Sequence, residues 1–96
     1  MSQTRPAPQS YLVECYWPGV TESRVMVTAR RAQQAAEELS EHGSEIIYRS
    51  AFLVPGDEVA FCLFDASSPA VVEEACRRAD IPFDRILPVT PIDVGW

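Results

Sequence analysis

No stretch of the chain approaches the roughly 20 consecutive apolar residues that a membrane helix needs, so no helical membrane span is expected. Basic charge is scarce. Eight Lys and Arg stand against fourteen Asp and Glu, giving a formal net charge of −6. Such a surface repels phosphate backbones, which argues against nucleic acid and anionic membranes as partners. Histidine occurs once, as His42, so one chain cannot build a histidine-rich site, and nothing supports a Ser-His-Asp arrangement. The three cysteines (Cys15, Cys62, Cys76) are odd in number and widely spaced, with no CxxC. That spacing excludes the usual structural zinc motif. No GxGxxG, Walker or HExxH motif is present, nor an internal repeat or a low-complexity tract. Residues 1–9 are polar, with Pro6 and Pro8, and lack the apolar core of a secretion signal. With no such signal, the cysteines are expected to be reduced thiols in the cytoplasm, serving as small buried apolar residues.

What is present is an ordinary globular composition, 47% hydrophobic and 23% charged, in 96 residues. That length makes one domain. Residues 1–10 are expected to be a flexible tail, 11–90 the domain, and 91–96 a second tail whose Trp96 is placed to cap a neighbour.

The order of elements follows from periodicity and punctuation. Residues 11–17 read as a strand, broken by Pro18-Gly19. Thr21 is a suitable N-cap, and Glu22 suits the positive end of a helix dipole. Val25, Ala29, Ala32, Ala36 and Leu39 recur at helical spacing up to Gly43, with polar residues between. A strand over 45–54, a type II turn centred on Pro55-Gly56 and a strand over 58–65 form a hairpin. Ser68 caps a second helix with Pro69 at its first position and a stripe of Val72, Ala75, Cys76 and Ala79, stopped by Ile81-Pro82. A last strand over 85–90 contains Pro88, which lacks an amide hydrogen and belongs on a sheet edge. The pattern is β-α-β-β-α-β, that is, an α+β ferredoxin-like sandwich. Its antiparallel four-stranded sheet, in the order 4-1-3-2, carries two helices on one face.

The most informative feature is that residues 11–17 and 59–64 are apolar on both faces of their strands. A sheet with one wet face should alternate apolar and polar residues. Two helices cover one face only, so a second copy, a ligand or both should cover the other. Tyr11, Val13, Cys15 and Trp17 share a side without charge, which is assigned to the helices. Leu12, Glu14 and Tyr16 then face the other way. In the third strand, Val59, Phe61 and Leu63 are assigned to the helix-packed core on grounds of bulk, leaving Ala60, Cys62 and Phe64 on the second face. In the second strand, Arg49 shares its side with Ile47, Ala51 and Leu53.

On this assignment Glu14 and Arg49 stand on strands about 10 Å apart, with Ala60 and Cys62 between them. Two readings stay open. The pair is an ion pair that fixes the register of a dimer, or it lines a pocket for a small polar ligand or a metal ion. Cys62 would lie beneath it. His42 reads as a solvated helix-end histidine. The acidic cluster Glu37, Glu38, Glu41 and Glu45 reads as a solvated helix face.

The segments Tyr11-Leu12-Val13-Glu14, Arg49-Ser50, Phe61-Cys62-Leu63-Phe64-Asp65-Ala66, Arg77-Arg78-Ala79 and Ile81-Pro82-Phe83-Asp84-Arg85-Ile86 occur in a fairly specific order. In that order the chain resembles a bacterial domain-of-unknown-function family that includes a nickel-binding, ferredoxin-like protein of actinomycetes. The resemblance covers about residues 11–90. It implies a homodimer formed through the sheet face and binding of a divalent transition metal such as nickel as the cofactor. It places the family's helix-2 histidine at Ala75 and its glycine after that helix at Asp80. Glu14, Arg49 and Cys62 are the ligand-binding candidates. The expected function is a cytoplasmic, homodimeric small-ligand or metal-binding protein. The rivals are a cofactor-free oxygenase or isomerase of the dimeric α+β barrel class, by analogy of fold, and a structural interaction subunit without a pocket.

Overall fold

A computed structural model of the chain describes residues 8–92. The elements follow the expected order: β1 (Gln9–Tyr16), α1 (Glu22–Glu41), β2 (Ile46–Val54), β3 (Val59–Ala66), α2 (Pro69–Arg78) and β4 (Arg85–Val89). The sheet is antiparallel, in the order β2-β3-β1-β4, with the Pro88 strand on an edge. This is the ferredoxin-like arrangement read from the sequence, with both helices on one face. Residues 1–7 and 93–96, including the terminal Trp96, lie outside the described residues.

Local chemistry sets the helix ends. Thr21 Oγ1 accepts a hydrogen bond from the Arg24 amide, and Ser68 Oγ one from the Val71 amide. Each hydroxyl satisfies an amide that has no partner within its helix. α1 ends in a Schellman motif. The Ser44 amide donates to the Leu39 carbonyl at 3.0 Å and the Gly43 amide to the Ser40 carbonyl at 3.1 Å. Gly43 takes a left-handed φ of 99° there. α2 ends in the same way, with the Ile81 amide bonded to the Cys76 carbonyl at 2.9 Å. Its left-handed residue is Asp80, at φ 57°. The helix therefore stops before Ile81-Pro82, through a residue that carries a Cβ and a negative charge at the negative end of the helix dipole.

The hairpin turn differs from expectation. Pro55–Asp57 forms one 3₁₀ turn, and the left-handed residue is Glu58 (φ 54°), not Gly56. The Glu58 carbonyl then accepts from the Trp17 amide at 2.7 Å, and its carboxylate accepts from the Gly19 amide at 2.7 Å. This turn thus anchors the exit of β1.

The core lies between the sheet and the two helices. Phe64, Val13, Val72 and Cys76 are its largest fully buried side chains. Tyr48 meets Phe64 edge-on, with centroids 5.9 Å apart. Around them the contact layer is made of small residues: Ala32, Ala35, Ala36, Ala75 and Ala79 from the helices and Ala60, Cys62 and Ala66 from β3.

β3 therefore faces opposite to the expectation. Its helix side is Ala60, Cys62, Phe64 and Ala66, and its far side is Val59, Phe61, Leu63 and Asp65. The physical reason is that the helices meet the sheet largely through alanines, which pack against the small side of β3. The side of the strand that carries Asp65 is the one left uncovered.

In β2, Tyr48 pairs with Phe64 but Ser50 pairs with Leu63, so Arg49 is an extra residue in a β-bulge. The bulge reverses the parity. Ile47 lies on the far side, opposite Asp65, while Ala51 and Leu53 turn to the helices, opposite Cys62 and Ala60.

Replacing Asp80 by Gly should remove both the left-handed Cβ penalty and the misplaced charge. Urea unfolding should show Asp80→Gly more stable than wild type by about 0.5–1 kcal/mol, with Asp80→Ala less stable than either. A less stable glycine variant would contradict this account of the helix end.

Candidate apolar sheet face and its ion pairs

Strand register builds the uncovered face in cross-strand rows. Ile47, Asp65, Ser10 and Val89 form one. Ser50, Leu63, Leu12 and Leu87 form the next, followed by Phe52, Phe61, Glu14 and Arg85 and then by Val54, Val59 and Tyr16. Two of the four rows are mainly apolar, and the other two are half apolar. Tyr16 is 60% exposed, Ile47 55% and Phe52 48%. Cross-strand neighbours of this kind stand about 5 Å apart, so the side chains form a continuous surface.

The charges on this face are paired, each carboxylate on a central strand with an arginine on an edge strand. Arg85 Nε donates to Glu14 Oε1 at 2.5 Å. This hydrogen bond, then the nearby negative charge, raises the Arg85 pKa. Asp84 sets the register of the contact. Its amide donates to the Glu14 carbonyl at 2.8 Å, and its carboxylate accepts from the Tyr16 amide. At the opposite corner, Arg49 Nη1 lies 3.5 Å from Asp65 Oδ2, while Ser10 Oγ donates to Asp65 Oδ1 at 2.7 Å. Both carboxylates are mostly covered (side chains 23% and 24% exposed), while the guanidinium groups reach water. A carboxylate set among apolar side chains needs such a counter-charge.

The structure does not bring Glu14, Arg49 and Cys62 together. Glu14 and Arg49 share the uncovered face but pair with Arg85 and Asp65, respectively. Cys62 lies on the helix side, 4% exposed. It does not underlie the face at all, because β3 has the opposite parity from that expected. Sequence reasoning missed Asp65, Arg85 and Ser10. The signal was there for Asp65, whose charge marks its side of β3 as the solvent side by the rule already applied to β1.

The other candidates are dispersed. His42 stands at the C-cap of α1, with Nδ1 2.8 Å from the Glu38 carbonyl oxygen. Glu38 also faces Arg78 at 3.8 Å. Ala75 is fully buried under the sheet. All three cysteines are free thiols in the core. Burial, helped by mutual proximity and nearby carboxylates, pushes Cys15 and Cys76 up to about 12, and burial alone pushes Cys62 up to about 11. Among the described residues, no group of three His, Cys, Asp or Glu side chains stands where it would hold a metal ion. Two open grooves occur elsewhere. One of about 530 Å³ lies between α2 and the approach to β4, lined by Cys76, Ile81 and Phe83, and one of about 310 Å³ lies beside Trp17 and Arg24 on α1.

A family model described as SCO4226-like, nickel responsive protein SCO4226-like, matches residues 11–89 of the chain. Among solved structures, the crystal structure of SCO4226 from Streptomyces coelicolor A3(2) is similar, with a TM-score of 0.66. The two sequences are 19% identical, over 88% of this chain and 99% of that one. At that identity the likeness concerns the fold. No curated protein matches the chain.

The buried thiols yield a pH prediction. In the unfolded chain a thiol ionises near 9.0, while in the folded protein it holds its proton to about 11 or 12. The folded state therefore binds these protons more tightly, so the thiols' contribution to stability is fully present below about pH 9 and is lost as pH rises toward 12. Tyr48, whose pKa is also raised by burial, acts in the same direction. Iodoacetamide at pH 8 should label the native thiols orders of magnitude more slowly than the urea-unfolded ones. Native labelling at the unfolded rate would show that the thiols are not in the core.

Proposed function

The chain belongs to the SCO4226-like family of nickel responsive proteins, and we propose that it acts there as a homodimeric binding protein whose uncovered sheet face is closed by the same face of a second copy. The observation that carries this reading is the apolar face itself. It is four strands wide and up to eight residues long, with Leu12, Phe52, Phe61, Leu63 and Leu87 in adjacent rows. Strand spacing and rise give it a projected area of roughly 500 Å². That is the size of the largest apolar patch on a typical soluble protein, and such patches are often functional.

Self-pairing fits the pattern of charge. A two-fold interface presents one patch to itself, so a patch with unbalanced charge would repel its own copy. Here Glu14 is matched by Arg85 and Asp65 by Arg49 within each chain. Glu14 and Arg49 keep a place in this reading as members of the two ion pairs that run from the central strands to the sheet edges. Their role is to hold register and solubility around an apolar centre, as at other interfaces. A small apolar ligand would sit between the two faces beside Ser50, the one small side chain of the central row. Three unpaired buried thiols accord with a reducing cytoplasm, and among the described residues no helix is long and apolar enough to cross a membrane.

The dimer is tested by light scattering after gel filtration. Wild type should elute at about twice the chain mass of 10.7 kDa. Leu63→Asp, which places a charge at the centre of the face, should give a monomer with an unchanged far-UV spectrum. A wild type that stays monomeric at about 100 µM, in the micromolar range where interfaces of this kind hold, would end this reading.

A further inference from the structure

We infer that this chain is a metal-independent member of a family described as nickel responsive: neither one copy nor the face-to-face pair offers nickel a site. The inference starts from donor chemistry. Nickel is bound best by imidazole nitrogen and thiolate sulfur, with carboxylates as weaker donors. Each donor must be deprotonated and free to turn toward the ion. The fold removes each class of donor in a different way.

Imidazole is limited to one group, because the whole chain contains a single histidine. His42 sits at the end of α1 in the helix layer, with Nδ1 on the Glu38 carbonyl, so it offers one nitrogen, Nε2, and among the described residues no pair of further donors stands with it. Two sheet faces brought together leave the helix layers on the outside. The two copies of His42 in such a pair therefore stand on opposite sides of the assembly and cannot share an ion.

Thiolate is removed by position. Cys15, Cys62 and Cys76 all lie on the helix side of the sheet, at most 6% exposed. Burial also holds them protonated well past neutral pH. Reaching them would require separating the helices from the sheet.

Carboxylate is removed by pairing. On the uncovered face, Glu14 is bound by Arg85, and Asp65 by Arg49 and Ser10. A dication placed there would meet two fixed positive charges before it met a free carboxylate. The described residues hold no cluster of three donors elsewhere. Of the eleven remaining residues, only Asp93 carries a His, Cys, Asp or Glu side chain.

The inference rests on the proposed pairing only where donors from two copies are concerned. The experiment therefore reads metal and mass in one sample. Untagged protein, stripped with chelator and dialysed, is titrated with nickel chloride by calorimetry and melted in up to about 1 mM nickel. Its mass is measured by light scattering before and after. A site with a Kd of about 10 µM would raise the melting temperature by about ten degrees or more under these conditions. The expected result is no saturable heat, a melting temperature unchanged within about one degree, and a mass that does not respond to nickel. Saturable uptake by wild type, or by the Leu63→Asp variant, overturns the inference. A monomeric wild type that ignores nickel supports it and removes the pairing instead.

Discussion

A repeat of two residues governs this protein. Along each strand successive side chains point to opposite faces, and the antiparallel register locks the four strands so that one whole set of side chains lies under the helices. On β3 that set is small, Ala60, Cys62 and Ala66 beside Phe64, and the bulkier members come from β1 and β2, as Tyr11, Val13, Ile46 and Tyr48. The larger apolar side chains of the central strands, Phe61, Leu63 and Leu12, fall on the other face, joined by Phe52 and Leu87 from the edges. A chain of 96 residues has a limited core to begin with, and here part of its apolar mass is placed outside that core. The small helix side of β3 and the uncovered apolar face are thus two consequences of one parity.

Charge does not oppose this division. The net charge of −6 would drive two copies apart if it were spread evenly. It is not spread evenly. Glu37, Glu38 and Glu41 lie on α1, in the helix layer, whereas Glu14 and Asp65 on the sheet face are each matched by an arginine. The arginines of α1 and α2 offset most of the helix carboxylates as well, so the excess negative charge falls mainly on the connecting segments, at Glu45, Asp57, Glu58, Asp80 and Asp84. The sheet face itself is balanced in charge, so electrostatics does not oppose the orientation that hydrophobic attraction favours.

Much of this was legible in the residues. Punctuation at Thr21, Gly43, Ser68 and Pro69, helical spacing in two segments, and Pro88 in the last strand were enough for the element order, the sheet order and the edge strand. The face of β1 was legible because Glu14 marks one side. The face of β3 was misread because bulk was given more weight than charge. Asp65 pointed to the right answer, and the alanine stripes of both helices agreed with it. The bulge at Arg49 was not legible. It depends on how two strands of unequal length are accommodated between fixed ends, and no residue type announces it. Everything said of Glu14, Arg49 and Cys62 as one site depended on that parity. The site dissolved into two separate ion pairs, while the uncovered apolar face survived. The left-handed turns at Glu58 and Asp80 were equally hidden, because neither position carries the glycine that normally signals one.

Membership of a family and retention of its chemistry rest on different residues. The ferredoxin-like framework is specified by several dozen positions of pattern, which tolerate wide substitution; the similarity to SCO4226 holds at 19% identity. A metal site is specified by three or four donors, and the loss of any one is severe. The cysteines make the distinction concrete. Three thiols in a nickel-responsive family invite a metal reading, yet each occupies a place where the close approach of helix and sheet demands a small apolar side chain. Cys62 lies in a β3 row with Ala60 and Ala66, and Cys76 in an α2 stripe with Ala75 and Ala79. In those positions a cysteine substitutes for alanine with one more heavy atom to pack. Their number is explained by the geometry of the core, so it carries no argument for a metal, and the fold can be inherited without it.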